Sequence, residues 1–130
     1  MPKTSANIVI WHFSNPAGLS PAASLAVDTA EANGLIYVSA VTLIELIYLI
    51  EKNKIPANVL TLLRDALDNP STAFRLVEVN REVADAVELI PRAIVPEMPD
   101  RIIAATALHL NLPLVTADHK IQASHVQTIW

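Results

Sequence analysis

The sequence predicts an α/β fold, a central and mostly parallel sheet with helices on both faces. Three observations predict it. Four short runs of strand composition, at residues 35–38, 74–79, 112–116 and 126–130, are separated by stretches long enough for helices. Strands that alternate with helices are joined by crossovers, and crossovers produce parallel pairing covered on both sides. Finally, a chain of 130 residues that is 52% hydrophobic suits one compact domain spanning the whole sequence, large enough to bury a core.

Each element has its own signal. Residues 7–13 are apolar and read as a short helix, closed by the turn-like Ser14-Asn15-Pro16-Ala17-Gly18. Ser20 followed by Pro21 is a helix start, and the helix runs to about Ala32, where Asn33-Gly34 breaks it. After the strand at 35–38, Ser39 opens a long apolar helix that fades at Glu51-Lys52-Asn53-Lys54. A further helix is expected over 57–67, stopped by Asp68-Asn69-Pro70, and another over 81–89. Three prolines forbid regular helix in 91–99, yet Pro99 is well placed to start one. From Asp100 the residues Ile102, Ile103, Thr106, Ala107 and Leu110 recur at helical spacing. Residues 1–4 make a poor strand.

Composition excludes several chemistries. Without cysteine there is no disulfide, thiolate zinc site or cysteine nucleophile. With two glycines there is no phosphate-cradling loop, and no serine occupies a nucleophile-elbow pattern. His12, His109, His119 and His125 lack the paired spacing of a zinc site; only His119, beside Asp118, stands near a candidate acid. No apolar run approaches a membrane span and the first residues lack a signal-peptide core, so a cytoplasmic protein is expected. A net charge of −4 argues against a broad basic face for nucleic acid. A cation in an acidic site can still hold a phosphate, with arginines such as Arg64, Arg92 or Arg101 assisting.

Three acids then stand out. Glu45 lies in a helix segment apolar on every side, where an unpaired carboxylate is costly unless a cation or donor compensates it. A capping box from Thr42 would explain it instead, but Ser39 is the more natural helix start. Asp100 opens a helix, where the macrodipole alone justifies an acid. Asp118 follows a strand end, where a turn carboxylate accepting backbone N–H groups is the plain reading. Together they gain weight, because hard cations such as Mg²⁺ and Mn²⁺ prefer oxygen ligands, and ligands collect at the carboxyl ends of parallel strands.

In order and spacing, Ser39-Ala40-Val41-Thr42-Leu43-Ile44-Glu45, Met98-Pro99-Asp100-Arg101-Ile102-Ile103-Ala104-Ala105-Thr106-Ala107 and Leu112-Pro113-Leu114-Val115-Thr116-Ala117-Asp118 resemble motifs of PIN-domain proteins, in particular the VapC-type toxins of bacterial and archaeal toxin–antitoxin pairs. The resemblance covers the chain from about Ser5 to Trp130. It implies a three-layer α/β/α sandwich, a Mg²⁺ or Mn²⁺ site, and cleavage of RNA by a metal-activated water. Glu45, Asp100 and Asp118 match the family's acids, and Thr116 its strand-end hydroxyl. A small cognate antitoxin and assembly as a homodimer or higher oligomer are also implied.

The front of the chain departs from that pattern, because Ser5 stands where the family has an aspartate. A neutral hydroxyl is a weaker ligand, so metal affinity is expected to fall; Glu97 is a nearby acid able to compensate. The alternative reading is a degenerate domain that no longer cleaves and instead binds an antitoxin or RNA. A receiver-like phosphoacceptor fits poorly, since the start supplies no clustered acids.

Overall fold

The structure is a computed structural model, in which the described residues are 3–4, 12–13, 16–124 and 126–130. In chain order the elements are β1 (Lys3–Thr4), a 3₁₀ turn (Pro16–Gly18), α1 (Pro21–Asn33), β2 (Ile36–Ser39) and α2 (Ala40–Glu51). They continue with α3 (Asn58–Asp68), β3 (Phe74–Val77), α4 (Arg81–Ala86) with a 3₁₀ extension (Val87–Leu89), α5 (Met98–Leu110), β4 (Leu114–Val115), α6 (His119–Gln122) and β5 (Thr128–Ile129).

The helix starts follow the sequence. Ser20 caps α1 by accepting the Ala23 N–H at 3.1 Å, with Pro21 at the first helical position. Ser39 caps α2 and Asn80 caps α4 in the same way. Helix α5 ends at Asn111, whose φ of 54° is the left-handed conformation that asparagine tolerates best after glycine. The expected helix over 81–89 tightens into 3₁₀ geometry at Val87, and the expected strands shorten to two to four residues at their cores. The expected helix over 7–13 falls mostly outside the described residues, although His12 and Phe13 are helical.

The sheet order is β3-β2-β1-β4-β5, parallel throughout. Residues 3–4, read as a poor strand, supply the central one: Lys3 pairs with Tyr37 and Leu114, and Thr4 with Val38 and Val115. Pairing on both sides overrides weak local preference, because strand formation depends on neighbours more than on intrinsic propensity. Both faces are covered. Leu114 joins a core of Ala86, Ile90, Ile103, Ala107 and Ile121, while its neighbour Val115 joins a core of Ala23, Val27, Val38, Leu46 and Leu63. Successive strand residues point to opposite faces, so these adjacent side chains define the two layers of a sandwich.

Candidate active site

The sheet order reverses at β1: β2 and β3 lie to one side, β4 and β5 to the other. Ligands in open parallel sheets bind outside the carboxyl ends of the strands at such a point. Thr4 ends its pairing with Val38 and Val115 there, Ser39 is the last residue of β2, and the chain continues into Thr116 after β4. Ser5, which follows β1 in sequence, lies outside the described residues.

From β2 the chain turns directly into α2, with the buried Ser39 accepting the Val41 N–H at 3.2 Å. Because α2 begins at Ala40, Glu45 lies in its second turn and the capping box from Thr42 does not form. The Glu45 carboxylate is directed inward instead, and its Oε1 is buried without a hydrogen-bond partner. Burial pushes Glu45 up to about 7, and the neighbouring charges of Asp100 and Glu97 push in the same direction.

Asp100 lies in the first turn of α5, beyond Pro99. The helix dipole favours its charged form, yet its pKa is raised to about 6. Burial is the largest cause; Asp118 and Glu97 add repulsion, and Lys120 opposes them. A side-chain hydrogen bond with Asp118 raises it further. Below about pH 6 the Asp100 carboxyl therefore keeps its proton more readily than an ordinary aspartate does.

Asp118 caps α6, its Oδ1 accepting the N–H groups of Lys120 at 2.8 Å and Ile121 at 3.4 Å. The turn reading of Asp118 is thus met. The buried Thr116 hydroxyl accepts the Asp118 N–H at 3.1 Å, and its carbonyl accepts Gln122 Nε2 at 3.0 Å. Asp100 is the common member, interacting with Glu45 on one side and Asp118 on the other. Among the described residues no group of three or more acidic or histidine side chains is placed to hold a metal ion together. The acids are coupled pairwise through Asp100, to Glu45 and to Asp118.

One sequence expectation is corrected here. Arg101 is not free to meet a phosphate: its guanidinium donates to the Ile90 carbonyl at 3.1 and 2.8 Å and to the Val87 carbonyl at 2.9 Å. The cation whose charge reaches Asp100 is Lys120, which sequence reasoning missed although it lies two residues beyond Asp118. His119 is exposed, and His12 pairs with Glu31 at 2.7 Å. Beside Glu45 the surface opens into a cavity of about 850 Å³, lined chiefly by Val41, Ile44, Tyr48, Met98 and Ile102, with Glu97 at its edge.

The donor set suits a hard divalent cation: it consists of carboxylates, one oxygen is buried without a partner, and two pKa values are raised as expected of acids awaiting a counter-charge.

This fold belongs to a known class. The PIN domain family model matches residues 6–125, and the chain belongs to that family. A curated relative, Ribonuclease VapC22 of Mycobacterium tuberculosis (strain ATCC 25618 / H37Rv), is 28% identical over 117 residues, covering 90% of this chain and 86% of that protein. The fold is shared with VapBC2 of Rickettsia felis, solved bound to a DNA fragment from their promoter, at a TM-score of 0.71 and 19% identity over 97% of this chain and 95% of that one. It is also shared with a toxin–antitoxin complex from Klebsiella pneumoniae, at a TM-score of 0.68 and 22% identity over 100% of this chain and 97% of that one.

Proposed function

We propose that this chain is a Mg²⁺- or Mn²⁺-dependent endoribonuclease, the toxin of a toxin–antitoxin pair, in which Glu45, Asp100 and Asp118 hold the cation. The observation that carries the reading is the row of acids centred on Asp100, in which the half-buried Glu45 and Asp100 have raised pKa values and Glu45 Oε1 is buried without a partner. When bound, a divalent ion supplies a hydroxide-like nucleophile at neutral pH and offsets charge on the phosphodiester. Thr116 fixes the backbone from which Asp118 projects. Lys120 lies close enough to Asp100 to lower its pKa, and is the group assigned to the substrate phosphate. The relative's name as a ribonuclease and the toxin–antitoxin neighbours support RNA as substrate and a small antitoxin as partner. The apolar cavity beside Glu45 suits an antitoxin segment whose basic end meets the acids, and a homodimer or higher oligomer is the expected assembly.

The test is RNA cleavage with Mn²⁺, with EDTA, and by Asp100→Asn. Cleavage is expected only with metal and to be lost in the variant, whose fold remains intact. Undiminished cleavage in EDTA overturns the reading.

Ser5 favours a second reading, a domain that binds antitoxin or RNA without cutting, since a serine follows β1 where a fourth acid would strengthen the site. Cleavage by the unaltered chain excludes it.

A further inference from the structure

Two side-chain oxygens among the described residues are buried with no hydrogen-bond partner, and both belong to α2: Thr42 Oγ1 and Glu45 Oε1. Residues three apart lie on one helix face, with Cβ atoms about 5–6 Å apart. The Thr42 side chain is wholly buried. A buried threonine in a helix ordinarily satisfies its hydroxyl on the carbonyl four residues back, as Thr106 does with Ile102 at 2.6 Å. For Thr42 that residue is Val38, which lies in β2 rather than in the helix. An apolar residue of the same shape would avoid the cost of a buried unmet hydroxyl, so the presence of threonine calls for a partner outside the protein.

We infer that the Thr42 hydroxyl is a positioning group of the acidic site, holding jointly with Glu45 Oε1 an ordered water that accompanies the bound cation. The chemistry fits: Mg²⁺ and Mn²⁺ sites built on few carboxylates keep several waters, each needing acceptors and donors beyond the metal ligands. Thr42 both donates and accepts, whereas the carboxylate beside it only accepts once ionised. Ser39 opens the same helix at the carboxyl end of β2, so both orphaned oxygens lie within two turns of that end of the sheet. This inference rests on the metal-site reading proposed above.

The test uses Thr42→Val, which removes the hydroxyl at nearly constant shape, and Thr42→Ser, which retains it. In EDTA, Thr42→Val is expected to raise Tm by about 2–5 °C, because an unsatisfied buried group is gone. By calorimetric titration its Mn²⁺ affinity is expected to fall about tenfold, and Thr42→Ser is expected to restore it. A residue with only a packing role would not move stability and affinity in opposite directions. Equal Mn²⁺ affinity in the parent and Thr42→Val overturns this inference and leaves the metal site standing. A drop in Tm for Thr42→Val in EDTA also overturns it, since the hydroxyl would then already have a partner. No Mn²⁺ uptake by the parent chain overturns both.

Discussion

Glu45 carries a conflict between burial and charge that can be read in solution. Its folded pKa of about 7 lies above its ordinary value of 4.5, and that of Asp100 is also raised, to about 6. An acid whose folded pKa is raised contributes stability that is fully present below the unfolded value and lost as pH rises through the folded one. Metal-free protein should therefore lose stability between about pH 4.5 and pH 7.5, by on the order of 2–3 kcal/mol after allowance for partial exposure. Urea unfolding in EDTA across that range checks the sign; a rise in stability would show that the acids already have counter-charges. Saturating Mn²⁺ should remove most of the slope, because the ion binds the deprotonated site. Glu45→Gln should likewise flatten the metal-free profile while weakening Mn²⁺ binding, which separates the charge of this side chain from its bulk.

Helix α5 sets the geometry of the acids, and its rigidity comes from small residues and one clamp. Ala104, Ala105 and Ala107 are fully buried and allow close approach to the sheet and neighbouring helices. Arg101, adjacent to Asp100, ties the first turn to the carbonyls that close the 3₁₀ segment after α4. Arg101→Met should cost about 1–3 kcal/mol, seen as a lower urea midpoint, because charged hydrogen bonds to two carbonyls are lost. It should also lower Mn²⁺ affinity, since Asp100 and Glu97 lie on either side of the clamped turn. An unchanged midpoint would mean that those carbonyls find water equally well.

These elements also mark what the sequence could show. Ser20-Pro21, Ser39 and Pro99 identified helix starts because capping is local chemistry contained within a few residues. Strands of two residues offer no pattern, which is why Lys3–Thr4 could not be recognised as the centre of the sheet and why the one-turn α6 went unread. Glu45 is conspicuous by its apolar context, whereas Asp118 taken alone reads as a turn residue. That Asp100 links them, that Arg101 is committed to carbonyls and that Lys120 reaches Asp100 depend on how β4, α5 and α6 pack, which no local spacing encodes.

At the scale of the whole molecule, the acids gather where the sheet reverses order, and the strand central to that reversal leads in sequence to Ser5. In an acidic chain of net charge −4, substrate binding cannot draw on a large basic field, so the charge at this edge dominates its affinity for cations and for phosphate. Ser5→Asp should therefore act in opposite directions with and without metal. In EDTA at neutral pH the added carboxylate joins like charges, raises their pKa values and lowers Tm. With Mn²⁺ it becomes a further hard oxygen ligand; affinity rises, and Tm then increases with ion concentration as expected for a ligand bound only by the folded state. Cleavage should increase in parallel if the serine limits metal loading. Thermal unfolding of both proteins with and without Mn²⁺, together with an RNA-cleavage assay, decides it. A substitution that shifts Tm equally in EDTA and in Mn²⁺ would place position 5 away from the cation, and the serine would then bear on stability alone.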